Sequence, residues 1–342
     1  MTATRATDRE SLQEIALVAP RAVNPFTGGH LYNRRVCECA APRIALRHVE
    51  VADIGDWLDG RTTPCLLDSL FFAAADPSSI AQGPPVIWLA HYLPHCAPNA
   101  PAELEAMMRE SLAAAWGIVA TSRATANLVL ETNPDANVRV CIPGVDAGSC
   151  RRTTDHPVPQ LLTVANFEAR KGHLDVLECL AELRSLPWTW DVVGDLDADR
   201  EVSEHFLERI HTLGLASRIR VHGRLDPATT REKMSEADLF LLLSSYEPYG
   251  MVFAESIASG TPVIAWRSGG ATEIVEPGVT GELLPLHDLA RVISTLELLL
   301  SSRRKLTQLR RSVSQSRRRF PTWRETSAEL VRHVDELSTT NE

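Results

Sequence analysis

The chain has 342 residues, enough for two domains with full cores, and its apolar (44%) and charged (23%) fractions are those of an ordinary globular protein. Lys and Arg number 35 against 44 Asp and Glu, a formal charge of −9, which argues against broad nucleic-acid binding because that prefers a basic face. The 7 cysteines are odd in number and scattered from Cys37 to Cys179, and the C-x-C at Cys37 and Cys39 is not a metal site by itself, so no disulfide framework is implied and a reducing, cytoplasmic setting is expected. The N-terminal stretch MTATRATDRESLQE is polar and does not read as a signal peptide, and no apolar run approaches a membrane span.

Along the chain, short apolar strands alternate with helical patterns. EIALVA (14–19), VIWLA (86–90), GIVAT (117–121) and VRVCI (138–142) read as strands, and 102–116 and 123–131 as helices, with Ser122 a candidate N-cap. Thr27-Gly28-Gly29 follows the first strand where a turn opens a helix; glycines there let a backbone approach a phosphate, although a plain turn explains them equally well. His91 follows VIWLA at the carboxyl end of that strand, where ligands bind in open α/β sheets, and is preferred over His95; a structural loop histidine is the alternative. The polar stretch 146–160 reads as a linker. A second alternating set follows: strands at 161–165, 188–194, 218–223 and 239–245, helices at 173–183, 200–214 and 230–237. This alternation predicts parallel sheets in two Rossmann-like halves facing a cleft. GDLDADRE (194–201) contains D-x-D, but acids are also favoured at a helix N-terminus, and that reading is preferred to a metal site. Arg303, Arg304, Lys305, Arg310, Arg311, Arg317, Arg318 and Arg319 read as a solvated helical face rather than a membrane-surface patch, leaving peripheral membrane contact open. A helix restarts after Pro321.

The most informative segment runs from Glu247 to Gly281. It follows the buried run Leu239 to Leu243, opens a helix near Gly250, stops it at Gly260-Thr261-Pro262 and starts another strand with PVIA. Glu247 and Glu255 form an E-x7-E pair; eight residues of mostly helical chain cover about 12 Å. The helix N-terminus at Gly250, Met251 and Val252 offers N–H groups and a positive dipole end to a phosphate. Carboxylates bind hydroxyl donors. A sugar nucleotide has two polyols joined by a diphosphate, so Glu247 suits the hexose, the amides the phosphate and Glu255 the ribose. Ser268, Gly269 and Gly270 form a further Gly-rich loop able to bring amides to such a donor, or a common turn.

On SSYEPYGMVFAE and its surroundings the chain resembles the retaining glycosyltransferases of family 4, with the GT-B fold. The resemblance is weak before Gly144 and strong from Leu161 to Pro285. It implies that Glu247 contacts the donor hexose and Glu255 the ribose, that Gly28 and Gly29 lie near donor phosphate and acceptor, and that His91 lies near the hexose. Lys171-Gly172 matches the family's K-G, whose Lys neutralises the diphosphate. The second basic residue that the family often carries upstream is missing, since Val164-Ala165-Asn166 stands there; Arg170 is the candidate substitute. PGVD (143–146) matches the family's domain-crossing turn. The implied organisation is an N-terminal acceptor domain at 12–150, a donor domain at 151–320, and a last helix at 321–338 that crosses back onto the first domain.

The resulting expectation is a hexosyltransferase moving sugar from a nucleotide diphosphate sugar to an acceptor hydroxyl with retention, without cofactor or metal. The assigned catalytic residues are Glu247, His91 and Lys171; the donor residues are Glu255, Arg170, Gly28, Gly29, Gly250, Met251, Val252, Gly269 and Gly270. Family frequency favours a UDP-sugar, UDP-glucose first, with GDP-mannose next. Two alternatives stay open: a GT-B epimerase or hydrolase, and a non-catalytic sugar-nucleotide-binding protein or assembly subunit.

Overall fold

A computed structural model describes residues 13–21, 27–40, 44–72, 74–93, 102–146, 156–316 and 320–339. His95 and Arg317 to Arg319 lie outside the described residues. Contacts divide the chain into two units, Met1–Pro143 with Trp323–Glu342, and Gly144–Thr322. Each unit is built on one six-stranded parallel sheet, the α/β class expected. Among the described residues no helix is long and apolar enough to cross a membrane.

In the first unit the strands are β1 (Gln13–Pro20), β2 (Ile44–Val51), β3 (Cys65–Asp68), β4 (Val86–Ala90), β5 (Gly117–Ala120) and β6 (Val138–Val140), in the order β2-β1-β3-β4-β5-β6. Helices α1 (Gly28–Glu38), α2 (Ile54–Leu58), α3 (Pro77–Gln82), α4 (Ala102–Ala114) and α5 (Arg123–Thr132) carry the crossovers that parallel pairing requires. Every residue of β3, β4 and β5 is buried, which is why the latter two read as continuous apolar runs. β2 and β3 have no counterpart among the strands read from sequence. β2 lies at the sheet edge and mixes Arg47, His48 and Glu50 into its apolar pattern; β3 has only four residues and ends on a carboxylate. Ser122 caps α5, its Oγ accepting the Thr125 N–H at 2.9 Å.

The last helix, α13 (Trp323–Thr339), belongs to this first unit. Leu330, Val334 and Leu337 recur at helical spacing and are fully buried, each worth about 1.5–3 kcal/mol. Polar contacts fix its position: Ser327 donates to the Val36 carbonyl at 2.7 Å and Thr326 to that of Ile142 at 3.0 Å. Trp323 packs edge-on against Tyr32.

The second unit holds β7 (Gln160–Val164), β8 (Thr189–Val193), β9 (Ile219–Gly223), β10 (Leu239–Leu242), β11 (Val263–Trp266) and β12 (Gly281–Leu284), in the order β12-β11-β10-β7-β8-β9. Its helices are α6 (His173–Glu182), α7 (Arg200–Thr212), α8 (Pro227–Glu236), α9 (Met251–Ala258), α10 (Ala271–Ile274), α11 (Leu289–Leu300) and α12 (Arg303–Ser316). Central β10 is buried on both faces: Leu239, Leu241 and Leu243 join a core with Trp190, Trp266 and Leu296, while Phe240 meets Phe253 of α9 on the other side. The strand order reverses between β7 and β10, and in the first unit between β1 and β3. These are the switch points outside whose carboxyl ends open α/β sheets bind ligands.

The basic cluster is not one solvated face. Arg310 turns inward and pairs with the carboxylate of Asp238, which is 2% exposed and also accepts the Gln160 N–H at 2.9 Å. Arg303 donates to the His156 carbonyl. Arg304, Lys305 and Arg311 do face solvent. Helical periodicity sets Leu306, Leu309 and Val313 into the core, and Arg310, next to Leu309, is carried to the buried border where a carboxylate awaits it.

Candidate functional site

Three loops converge at the carboxyl ends of β7, β10 and β11. The loop after β7 runs through a 3-10 turn, Ala169–Lys171, into Gly172, whose φ of 68° is left-handed. A Cβ at Gly172 would stand 2.2 Å from the Leu243 carbonyl oxygen, so only glycine lets this loop lie on the end of β10. The Ser245 N–H donates to the Arg170 carbonyl at 2.8 Å and holds the two loops together. The third loop is seated the same way. A Cβ at Gly269 would stand 2.2 Å from the Glu247 carbonyl oxygen, and one at Gly270 2.2 Å from that of Tyr249. Ser268 Oγ donates to the Ser245 carbonyl at 2.7 Å.

This convergence brings Lys171 and Glu247 together. Lys171 Nζ donates to Glu247 Oε1 at 2.5 Å, with side chains only 13% and 10% exposed. Arg170 stands beside them: its Nη1 donates to the Tyr246 carbonyl at 3.2 Å and lies 3.8 Å from Glu247 Oε1, while its Nε binds Glu168 at 2.8 Å. Burial by itself would raise the Glu247 pKa, but the charges of Lys171 and Arg170 and the Lys171 hydrogen bond outweigh it and hold the carboxyl below its usual range. His173 opens α6 next to this cluster, stacked on Phe167 with ring centroids 4.4 Å apart; burial and the Lys171 charge push its pKa down to about 4, so it is neutral.

The N-terminus of α9 lies against the same loop. Gly250 is its N-cap, with φ 90°, and a Cβ there would be 3.6 Å from Glu247 Cβ. Met251 and Val252 form the first turn, where a helix leaves its N–H groups without intrahelical acceptors. The Gly270 N–H, expected to face a donor, donates instead to the Glu247 carbonyl at 2.8 Å, and that of Ser268 goes to Trp266. This loop therefore supports the Glu247 loop from behind. Glu255 is not drawn into the Lys171 cluster. It is half-buried on α9, and its pKa is pushed up to about 7 by burial and then by Asp146, against the opposing charge of Arg231. Asp146 and Arg231 are themselves paired at 3.6 Å.

Gly28, Gly29 and His91 belong to the first unit and form a second group. Thr27 caps α1, so Gly28 and Gly29 are its first residues. A Cβ at Gly29 would stand 3.3 Å from His91 Cδ2, so α1 begins against the imidazole. His91 Nε2 lies 2.8 Å from Asn33 Oδ1, and the ring meets Tyr32 edge-on at 5.0 Å. Burial lowers the His91 pKa; Asp68 opposes this and His30 adds to it, so the ring is neutral at pH 7. Asn33, Asp68 and Ser69 were not read from the sequence. The signal available was the position of Asp68 and Ser69 at a strand's carboxyl end, hidden because β3 itself was not recognised.

The D-x-D carboxylates are engaged within the protein. Asp195 Oδ1 accepts the Asp197 N–H at 3.1 Å and Asp195 Oδ2 lies 3.8 Å from Arg224, while Asp197 pairs with Arg200 at 2.9 Å. Asp199 caps α7, accepting the Val202 N–H at 3.2 Å. Among the described residues no His, Cys, Asp or Glu cluster is arranged to hold a metal ion.

Residues 151–319 match the profile of the family described as glycosyl transferases group 1. Among curated proteins, the chain is 29% identical over 168 residues to the lipopolysaccharide core biosynthesis glycosyltransferase LpsE of Rhizobium meliloti, covering 49% of this chain and 46% of that protein. It is 33% identical over 178 residues to a D-inositol 3-phosphate glycosyltransferase of Corynebacterium diphtheriae, covering 49% and 41%. The chain thus spans about half or less of the length of these relatives. Among solved structures, sucrose-phosphate synthase from Thermosynechococcus elongatus superimposes with a TM-score of 0.79 at 17% identity, over 96% of this chain and 100% of that one. Anabaena HepE in complex with UDP-glucose superimposes with a TM-score of 0.76 at 15% identity, over 94% and 99%. The fold is GT-B, and the segment 151–319, which carries the Lys171 and Glu247 loops, is similar to the glycosyl transferases group 1 family.

Proposed function

We propose that this protein is a retaining glycosyltransferase of family 4, moving a hexose from a nucleotide diphosphate sugar, UDP-glucose first among candidates, to an acceptor hydroxyl. The observation that carries the reading is the Lys171–Glu247 contact at the β7/β10 switch point, with Arg170 beside it and the α9 N-terminus against it. Lys171 and the α9 amides meet the diphosphate, and Arg170 supplies the second positive charge that the sequence lacks upstream. Glu247 turns from Lys171 to the hexose hydroxyls, and Glu255 takes the ribose. HepE, a solved neighbour of like fold, binds UDP-glucose, which favours a UDP-sugar here.

In the reaction the bond from the anomeric carbon to the diphosphate oxygen breaks, and its electron pair leaves with the phosphate. The acceptor oxygen bonds to the anomeric carbon from the same face, and its proton passes to the leaving phosphate. Negative charge grows on the phosphate and positive charge on the sugar; the fixed cations and amides stabilise the former without reorganising during the step. Within the first unit, His91 and the turn at Gly28 and Gly29 serve a substrate hydroxyl. A thermal-shift screen of UDP-glucose, other UDP-sugars and GDP-mannose tests the donor: a ligand at one hundred times its dissociation constant adds about 2.7 kcal/mol of stability. Release of free nucleotide diphosphate only when an acceptor alcohol is present identifies transfer. Release without an acceptor would make the protein a hydrolase, and no shift with any nucleotide sugar would remove the reading.

A further inference from the structure

His91 stands at the end of a buried polar chain that the proposed reaction does not otherwise use. Asp68, the last residue of β3, is fully buried. Its Oδ1 accepts the Leu70 N–H at 2.8 Å and its Oδ2 accepts from Asn33 Nδ2 at 2.5 Å. Asn33, on α1, is also fully buried. Its Oδ1 lies 2.8 Å from His91 Nε2. Each link dictates the next. A carboxylate only accepts, so Asn33 must turn its NH2 toward Asp68. The Asn33 oxygen therefore faces His91, and Nε2 must carry the proton. A neutral imidazole has one ring proton, so the lone pair is on Nδ1.

The ring is also held in place. The His91 N–H donates to Ser69 Oγ at 3.0 Å, and the Tyr92 N–H reaches the same oxygen at 3.3 Å. Tyr32 packs against the ring on one side, and Gly29 closes on its Cδ2 edge. We propose that Asp68 and Asn33 are positioning residues that fix His91 as the Nε2–H tautomer, so that Nδ1 meets a substrate hydroxyl as a hydrogen-bond acceptor. The hydroxyl role rests on the glycosyltransferase reading; the tautomer does not.

The test is nitrogen NMR of the full-length, ligand-free protein with labelled histidine, at a pH where the ring is neutral. The His91 signals are assigned by their loss in His91→Phe. Nε2 is expected in the pyrrole-like region and Nδ1 in the pyridine-like region; the opposite assignment in the wild type overturns the proposal. Asp68→Asn sharpens the test. Oδ1 of the new amide keeps the Leu70 N–H, so its NH2 faces Asn33. Asn33 must then flip and present its own NH2 to His91, and the ring proton moves to Nδ1. Reversal of the tautomer in this variant supports the relay, and an unchanged tautomer overturns it. If the variant does not fold, the wild-type spectrum decides alone. With a hexose donor, the reversed tautomer should cut kcat roughly tenfold, the loss of one hydrogen bond, with little change in nucleotide diphosphate affinity. Reversal with unchanged kcat would remove the hydroxyl-acceptor role. A wild-type enzyme with the expected tautomer but no transfer activity would count against the glycosyltransferase reading and not against the relay.

Discussion

Glu255→Gln should remove a pH-dependent loss of stability from the second unit. In the folded chain the Glu255 pKa rises from the ordinary 4.5 to about 7, through burial first and the Asp146 carboxylate second. A carboxyl with a raised folded pKa is protonated in the folded state while the unfolded chain already ionises. Its contribution is complete below pH 4.5, declines as pH rises from 4.5 to about 7, and is gone above that. At 1.36 kcal/mol per pH unit the rise from 4.5 to about 7 amounts to about 3 kcal/mol, an upper bound because the side chain is only half-buried and Arg231 stands nearby. Gln has the shape of the protonated acid and does not titrate. The variant should match the wild type near pH 4.5 and exceed it by up to about 3 kcal/mol above pH 7. The assay is native-state hydrogen exchange at the α9 amides, which reads the opening free energy of that helix in a chain whose two units need not unfold together. A difference that stays flat from pH 4.5 to 8, or in which the wild type gains on the variant as pH rises, would refute the reasoning.

Lys171→Ala should weaken binding of a nucleotide diphosphate sugar by about 1.5–3 kcal/mol while barely changing binding of the free nucleoside, because a charge-assisted contact to the diphosphate is lost; equal losses by calorimetry would exclude Lys171 from the phosphate site. Glu247→Gln should lower turnover yet leave bare nucleotide diphosphate binding unweakened, since Lys171 no longer has a carboxylate partner, whereas Glu255→Gln should weaken the nucleotide itself; identical behaviour of the two variants would contradict the division of roles. Arg310→Ala should cost about 3–5 kcal/mol by leaving Asp238 buried without its cation. Arg304→Ala, at an exposed position of the same helix, should stay within about 0.5 kcal/mol in the same calorimetric scan. Transfer should persist in excess chelator, and the product's anomeric coupling should show retention. Activity lost to chelator and restored by magnesium or manganese would return attention to Asp195 and Asp197, and an inverted product would call for a protein base, with His91 the first suspect.

As far as β11 the second unit was legible almost element by element, for a reason specific to parallel sheets. Strands such as Leu239–Leu242 and Val263–Trp266 are buried on both faces, so they appear in the sequence as unbroken apolar runs between helical patterns. Where that condition fails, the reading failed too. Ile44–Val51, at a sheet edge, carries charged residues among its apolar ones, and Cys65–Asp68 is too short to stand out. With β3 went Asp68 and Ser69, and with them the polar chain behind His91.

By itself the sequence determined the α/β class, the loop-to-helix turn at Gly250 and the identity of the charged residues near it, because turn chemistry, strand burial and helix periodicity are local. The tertiary structure decided which charges meet. Lys171 and Glu247 are 76 positions apart and come within 2.5 Å only because β7 and β10 are neighbours in the sheet and Gly172 lets one loop lie on the other. The same holds for Arg310, which composition places on a solvated basic face and packing turns onto Asp238, and for Asn33, Asp68 and His91, gathered from a helix and two strand ends. A side chain's type is written in the sequence, but its partner, and so its protonation and its chemistry, depends on which strands the sheet sets side by side.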